Sequence, residues 1–179
     1  MTISPLMIAL VLLLLLVIVL ILFGTIQSGI SPMPSSIKAY RVIESMADQT
    51  DDTPLVDLGS GWGNLAIRLA KRYPQRQVYG YEVSWIPWAV SVCLKSLLRL
   101  DNLTLHRTDF LKSPWPEHAT LLCYLFPSAM QQIAERIAEP GSSPRFVISN
   151  NFALPQHHAI RREQIRDFYR SPIYLYKIG

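Results

Sequence analysis

The chain has 179 residues, a formal net charge of +4 and only two cysteines. About 145 residues remain once an apolar N-terminus is set aside, enough for one domain with a well-buried core. Cys93 and Cys123 both lie in apolar stretches, so a disulfide framework or a metal site has no support and a reducing compartment is favoured. The positive charge suits an anionic membrane surface or RNA, and equally a soluble domain with a few surplus arginines.

The 18 residues from Leu6 to Phe23 form an unbroken apolar run. As a helix, the run would be about 27 Å long, close to the thickness of a bilayer's hydrocarbon core. A core helix would not be apolar on every face in so small a domain, and a cleaved signal peptide needs a charged start and a small-residue cleavage site. We therefore predict a retained membrane anchor over residues 1–26. The nearest cations, Lys38 and Arg41, follow the run, so the positive-inside rule places the globular part in the cytoplasm.

A short linker and a helix follow the predicted anchor. Residues 27–36 contain prolines, a glycine and serines, a composition typical of a linker that keeps the next domain near the bilayer. Ser35 or Ser36 is positioned to cap a helix over 37–47, in which apolar residues recur every three positions and include Tyr40. Residues 37–179 are predicted to form one domain.

The rest of the chain alternates strand and helix patterns. Predicted strands cover 54–58, 77–82, 103–106, 120–126, 145–149 and 173–178, and predicted helices cover 65–72, 85–100, 128–138 and 156–170. The run 120–126 is apolar throughout, which predicts a central strand buried on both faces. The last predicted helix is basic and amphipathic, with Ile160, Ile165 and Phe168 facing inward. This alternation predicts an α/β fold with a Rossmann-like, doubly wound, mostly parallel sheet.

Residues 57–63, Asp-Leu-Gly-Ser-Gly-Trp-Gly, lie between the first strand and the first helix of this alternating part. Glycine accepts positive φ and lets a ligand approach the backbone without a Cβ in the way. The frame D-x-G-x-G-x-G differs from the G-x-G-x-x-G of dinucleotide-binding proteins, since position 64 is Asn. The glycine spacing therefore opposes an oxidoreductase that uses a nicotinamide cofactor.

Two further acids follow the next two strands. Glu82 ends the second predicted strand, 25 residues after Asp57, where one carboxylate can bind both hydroxyls of a ribose. Asp109 follows the third strand, and the next residue, Phe110, either stacks on a base or packs against the core. The sequence therefore places three acids at three successive strand ends.

The acid before the glycine turn, together with Gly-Tyr-Glu at 80–82, resembles motif I and its downstream acid in the class I S-adenosylmethionine (SAM) methyltransferases. The apolar N-terminus, the Pro-Met-Pro-Ser linker, Val-Asp-Leu-Gly-Ser-Gly and the terminal Tyr-Leu-Tyr look, in this order, like the membrane-anchored lysine methyltransferases of the ATP synthase c-subunit and the adenine nucleotide translocase. That family commonly has Asp and Arg where this chain has Trp62 and Asn64.

The resemblance implies the class I methyltransferase fold and SAM as cofactor. Asp57 would help to hold the amino-acid end of SAM, and Asp109 would contact the adenine amino group unless it only caps the following loop. The implied cofactor-binding residues are Asp57, Gly59, Ser60, Gly61, Gly63, Glu82, Asp109 and Phe110.

The methyl acceptor is expected at the carboxyl ends of the fourth and fifth strands. Tyr124 and Asn150 lie there and are the predicted catalytic residues. The fourth strand lacks the N-P-P-Y or D-P-P-Y sequence typical of enzymes that methylate amino groups of nucleic acids, which opposes DNA adenine as acceptor. Four aromatic residues either form a pocket for a lysine ammonium or pack in the core: Trp85, Trp88, Trp115 and Tyr124.

The sequence therefore predicts a membrane-anchored, SAM-dependent methyltransferase. A lysine of a membrane-associated protein is the leading acceptor, because the anchor and the short linker favour a substrate at the bilayer. The alternatives are an amine or hydroxyl of a lipid or small molecule, and a membrane-tethered SAM-fold module that binds partners without catalysis. Neither a metal nor a nucleic-acid partner is predicted.

Overall fold

The computed structural model describes residues 4–8, 10–12, 14–15, 37–139, 141, 144–165 and 170–178. The predicted linker, and residues 1–3, 9, 13 and 16–26 of the predicted anchor, lie outside these ranges. Residues 5–8, 10–12 and 14–15 of the apolar run are helical. Within the described ranges, no helix is both long enough and apolar enough to cross a membrane.

Seven strands form one sheet in the described globular part, in the order β3-β2-β1-β4-β5-β7-β6. The strands are β1 (Leu55–Leu58), β2 (Val78–Tyr81), β3 (Leu103–His106), β4 (Thr120–Cys123), β5 (Phe146–Asn150), β6 (Arg161–Gln164) and β7 (Pro172–Lys177). The helices that pack with the sheet are α1 (Ile37–Ala47), α2 (Asn64–Arg72), α3 (Trp85–Leu97) and α4 (Pro127–Ala138).

The sheet is mixed rather than purely parallel. Strands β1 to β5 pair in parallel, whereas β7 is antiparallel to both β5 and β6. The predicted Rossmann-like sheet is thus confirmed, with an antiparallel end. The strand order changes direction between β1 and β4, and in open α/β sheets such a switch point opens a crevice at the carboxyl ends of the strands.

Apolar clusters cover both faces of the sheet, as a doubly wound fold requires. One cluster contains residues of α1 and α2, such as Ile43 and Leu69, and the other contains residues of α4, such as Ile133. In β4, Leu122 joins the first cluster whereas Leu121 joins the second, because successive strand residues point to opposite faces. The predicted burial on both faces is confirmed for residues 120–123, but the predicted extension of the strand to residue 126 is wrong, because the strand ends at Cys123 and Tyr124 and Phe126 are exposed.

The predicted basic helix over 156–170 is wrong. Residues 161–164 form the edge strand β6, and the described residues 151–160 contain no helix. Gln156 has a φ of 60°, which interrupts any helix at its start. Pairing with β7 satisfies the backbone groups on one side of β6, and the guanidinium of Arg162 lies 5.5 Å from the ring centroid of Tyr174 on β7. Ile165 is buried as predicted, Ile160 is 61% exposed, and Phe168 lies outside the described residues.

Candidate functional site

The turn between β1 and α2 contains three glycines with left-handed backbone, with φ of 78° at Gly59, 53° at Gly61 and 76° at Gly63. The N–H groups of Gly59 and Ser60 both donate to the carbonyl of Tyr81, at 3.0 and 2.9 Å, and tie the turn to the end of β2. A Cβ at Gly63 would lie 2.7 Å from a side-chain carbon of α3, whereas a Cβ at Gly61 would meet nothing within 4 Å. A ligand therefore has access to the turn at Gly61.

Glu82 directly follows β2, and its carboxylate binds the backbone of this turn and the backbone at the start of α3. Its Oε2 accepts a hydrogen bond from the N–H of Gly61 at 2.9 Å, and its Oε1 accepts one from the N–H of Ser84 at 2.7 Å. Each carboxylate oxygen can accept a second hydrogen bond, so Glu82 keeps acceptor capacity for the hydroxyls of a ligand. Ser84 stands at the N-cap of α3, but its side chain makes no capping hydrogen bond.

Asp57 is buried near the end of β1, and its hydrogen bonding is incomplete. The backbone N–H of Ala66 binds its carboxylate, but no described residue binds Oδ2. Burial first, and then the negative charge of Glu82, raise the pKa of Asp57 from 3.8 to about 7, although the bond from Ala66 lowers it. A buried carboxylate oxygen that no described residue binds is suited to a ligand that brings a cation or an N–H donor.

The two carboxylates lie at the same edge of the sheet. Asp57 pairs in register with Gly80, two residues before Glu82, and the charge of Glu82 acts on Asp57. Both side chains are largely buried. Among the described residues, no group of three or more His, Cys, Asp or Glu is arranged to hold a metal ion.

Helix α1 places Tyr40 near enough to Asp57 for the charge of the carboxylate to act on it, which the sequence pattern does not indicate. The pKa of Tyr40 is raised mainly by burial and then by the negative charge of Asp57, while the positive charge of Arg68 lowers it. The guanidinium of Arg68 lies 5.6 Å from the ring centroid of Tyr40 and forms a salt bridge with buried Glu44 of α1. Tyr40 belongs to the apolar stripe of α1, so the pattern indicated only core packing.

The loop after β3 contains Asp109 and Phe110. Asp109 caps this loop, because its Oδ1 accepts a hydrogen bond from the N–H of Leu111 at 2.9 Å. Phe110 packs in part against the apolar cluster on the α4 face. Both side chains thus have structural roles, and their contacts with adenine stay predictions.

Tyr124 and Asn150 lie at the carboxyl ends of adjacent parallel strands. Tyr124 directly follows β4 and is 37% exposed, whereas Asn150 is the last residue of β5 and is buried. Phe126 and Phe152 lie beside them, with ring centroids 6.3 Å apart. The apolar run 120–126 predicts one buried strand and therefore does not indicate Phe126, but β4 ends at Cys123 and Phe126 is 44% exposed.

The four aromatic residues predicted as a possible ammonium pocket do not come together. Trp88 lies on α3, donates from Nε1 to the carbonyl of Leu105 at 3.2 Å and meets Trp85 edge to face. Trp115 packs against the cluster on the α4 face, with the guanidinium of Arg136 3.8 Å from its ring centroid. Helix α3 contacts α2, whose buried residues belong to the other cluster. Core and surface packing therefore account for most of this set.

Comparison with known families matches residues 57–161 to the model described as ANTKMT methyltransferase domain. The match covers more than half of the chain, from the glycine turn to the start of β6.

Several solved methyltransferase structures share the fold. An RNA methyltransferase from Salinibacter ruber in complex with S-adenosyl-L-homocysteine is 21% identical, with a TM-score of 0.66 over 82% of this chain and 94% of that chain. The magnesium protoporphyrin IX methyltransferase (ChlM) from Synechocystis PCC 6803 with bound SAM is 18% identical, with a TM-score of 0.60 over 79% of this chain and 80% of that chain. The putative methyltransferase yhhF from Escherichia coli is 13% identical, with a TM-score of 0.61 over 82% and 90%.

Proposed function

The chain belongs to the ANTKMT methyltransferase domain family and is a SAM-dependent methyltransferase, and from this premise we propose that it N-methylates a lysine of a membrane-associated protein. When bound, SAM supplies a methyl carbon on a positively charged sulfur. Transfer to an amine is an in-line displacement, to which positioning of the acceptor about 3 Å from that carbon contributes much of the rate. The chain therefore needs residues that bind and orient, rather than an acid–base triad.

The proposed cofactor site depends on one observation: the Oδ2 atom of Asp57 is buried and no described residue binds it. This atom lies at the same edge of the sheet as the open space beside Gly61. SAM has a cationic amino group and a ribose diol, which match a buried carboxylate and the acceptor capacity of Glu82. We assign Asp57 to the amino-acid end and Glu82 to the ribose. Further contacts are assigned to the turn residues Gly59, Ser60, Gly61 and Gly63 and, at the adenine, to Asp109 and Phe110.

The acceptor side of the proposal lies at the ends of β4 and β5. Phe126 and Phe152 form an apolar surface beside Tyr124 and Asn150. Such a surface suits the aliphatic chain of a lysine and removes water from its ammonium group, which favours the neutral amine that the displacement requires. Tyr124 and Asn150 are proposed to orient the amine nitrogen.

Membrane attachment through the segment from Leu6 to Phe23 is part of the proposal. Every large hydrophobic side chain described in this segment is at least 50% exposed. A contiguous apolar surface of this kind needs a partner, and a run of 18 residues suits the hydrocarbon core of a bilayer. Lys38 and Arg41 follow the segment and favour a cytoplasmic globular domain.

The proposal is tested by incubating the purified chain with membranes and SAM that carries a radiolabelled methyl group. We expect the label in protein, recovered as methyl-lysine after acid hydrolysis, with wild type but not with Glu82→Ala. Glu163→Ala, which removes a half-exposed carboxylate of the edge strand β6 that pairs with Arg161, is the matched control and should act like wild type. Label that extracts with the lipids would overturn the lysine assignment and favour a lipid acceptor.

Membrane attachment needs a separate measurement. We expect the chain to stay with the membrane pellet after extraction with alkaline carbonate, which removes proteins bound only to the membrane surface. Recovery of the chain in the supernatant would refute the anchor without affecting the assignment of the cofactor site.

A further inference from the structure

The parallel strands β3 and β4 are joined without a helix. Residues 107–119 connect them, and none of these residues is helical. In the sheet, β2 and β1 lie between β3 and β4, so the connection must pass over two strands. Parallel strands are usually joined through a helix, which satisfies the backbone of the crossover. This crossover loop needs other donors for its carbonyl groups.

Arg136 of α4 supplies two of those donors. Its Nη1 donates to the carbonyl of Phe110, and its Nη2 donates to the carbonyl of Ser113. The indole Nε1 of Trp115 donates to the same Phe110 carbonyl at 2.9 Å, and the ring of Trp115 lies against the guanidinium. One arginine thus connects α4 to both ends of a four-residue turn.

The partial burial of Arg136 strengthens its hydrogen bonds to the two loop carbonyls. Burial lowers the pKa of the guanidinium, while the charges of Glu139, Tyr81 and Asp109 raise it. A partly dehydrated cation holds its carbonyl partners strongly, because breaking the hydrogen bonds would leave the charge without water. Lysine would keep the charge but would lose the planar fork that reaches two carbonyls at once.

The turn held by Arg136 is the turn that Asp109 caps. The Oδ1 of Asp109 accepts from the N–H of Leu111, and the hydroxyl of Ser113 donates to the carbonyl of Asp109 at 3.0 Å. The direction in which Asp109 and Phe110 point is therefore set by the backbone of this turn. A shift of the Phe110 or Ser113 carbonyl would move both side chains.

We propose that Arg136 is a positioning residue for the cofactor: it fixes the crossover loop so that Asp109 and Phe110 meet the adenine of SAM. The inference rests on the proposed roles of these two residues in the cofactor site. Arg136 acts through the loop and does not itself touch the cofactor.

The test compares two nucleosides on the wild type and on Arg136→Lys, using the 179-residue chain in detergent. S-adenosylhomocysteine and S-inosylhomocysteine differ only at the Watson–Crick edge of the purine, where the 6-amino group is replaced by an oxygen and N1 gains a hydrogen. Titration calorimetry should show that wild type prefers the adenosyl compound. We expect Arg136→Lys to lose about tenfold in affinity for it and most of the preference, a free-energy difference of about 1.4 kcal/mol. KM for SAM should rise by a similar factor while kcat changes little.

Two further variants make the test specific. Arg162→Lys is the matched control, because Arg162 also stacks on an aromatic ring but lies on β6 at the other end of the sheet. If Arg136→Lys does not fold, Trp115→Phe removes one hydrogen bond to the Phe110 carbonyl while keeping the ring, and should shift the preference in the same direction by less.

Each outcome decides the inference. Unchanged affinity and preference in a folded Arg136→Lys overturn it. An equal loss for both nucleosides also overturns it, because the role of Arg136 would then be structural only. If wild type binds neither nucleoside, the proposed cofactor site itself fails, and the inference fails with it.

Discussion

Replacing Asp57 with Asn is expected to stabilise the ligand-free domain above pH 7 and to abolish cofactor binding. Burial and then the charge of Glu82 raise the pKa of Asp57 from 3.8 to about 7. In the unfolded chain this carboxyl ionises near its ordinary pKa, so between the two values the folded protein holds a proton that the unfolded chain has lost. The contribution of Asp57 to stability is therefore full below pH 3.8 and is lost as the pH rises to about 7.

The magnitude follows from the pKa shift. The difference between 7 and 3.8 is about 3 units at about 1.36 kcal/mol each, so an ionised Asp57 costs up to about 4 kcal/mol of unfolding free energy. Asparagine is neutral at every pH, and its amide oxygen can accept the hydrogen bond from Ala66. Its buried amino group without a partner costs about 1–3 kcal/mol. The expected net gain above pH 7 is therefore about 1–3 kcal/mol.

Urea unfolding of both proteins at several pH values measures this gain. The advantage of Asp57→Asn should shrink by about 1.4 kcal/mol for each pH unit below 7. Asp51→Asn, which removes an exposed carboxylate paired with Arg145, is the control and should show no such pH-dependent gain. S-adenosylhomocysteine should stabilise wild type but not Asp57→Asn. An Asp57→Asn protein that is no more stable than wild type above pH 7 would refute this reasoning.

Three further predictions concern the residues around the site. Tyr40→Phe removes a hydroxyl near Asp57 and should weaken the binding of S-adenosylhomocysteine by up to about tenfold in calorimetry. The unfolding free energy should change by less than about 1 kcal/mol. An unchanged affinity would show that Tyr40 only packs in the core. Gly61→Ala should lower the unfolding free energy measured in urea by about 1–2 kcal/mol, because residue 61 has a positive φ, and its methyl group should block the cofactor. Gly63→Ala should lower the unfolding free energy by more, because its Cβ would also lie 2.7 Å from α3. Equal losses of stability in the two variants would contradict this. Phe126→Ala should raise KM for the acceptor while affinity for S-adenosylhomocysteine stays constant, and a drop in that affinity would place Phe126 at the cofactor instead.

The parts of the site that the sequence predicted are those fixed by local rules. Alternating strands and helices identified β1 and β2, and side chains at the carboxyl ends of parallel strands meet at one edge. Asp57 and Glu82 could therefore be assigned to the same edge without knowledge of any tertiary contact. Glycine at 59, 61 and 63 indicated positive φ for the same local reason, and the structure has it at all three.

The parts that the sequence did not predict depend on contacts between distant segments. Tyr40 reaches the site because α1 packs on β5 and β7 and its Glu44 pairs with Arg68 of α2. Apolar periodicity indicates that a residue is buried without saying what it lies against. The segment over 161–164 became a strand because β7 offered it a pairing partner, which its polar sequence gives no sign of. Phe126 was assigned to a buried strand because an apolar run does not show where β4 ends.

The residues that define the site and the residues that support it have opposite effects on stability. An Oδ2 atom of Asp57 that no described residue binds and two carboxylates at one buried edge are unfavourable for folding alone, and such costs persist where binding requires them. The salt bridge from Glu44 to Arg68 and the hydrogen bonds from Arg136 stabilise the surrounding elements. Substitutions in the first group should therefore trade binding for stability, as argued for Asp57→Asn, whereas substitutions in the second group should lower both. For the charged residues of these two groups, a rise in the unfolding free energy of a variant with weakened cofactor binding therefore indicates a lost contact to the cofactor. A fall indicates that the site has lost a supporting contact.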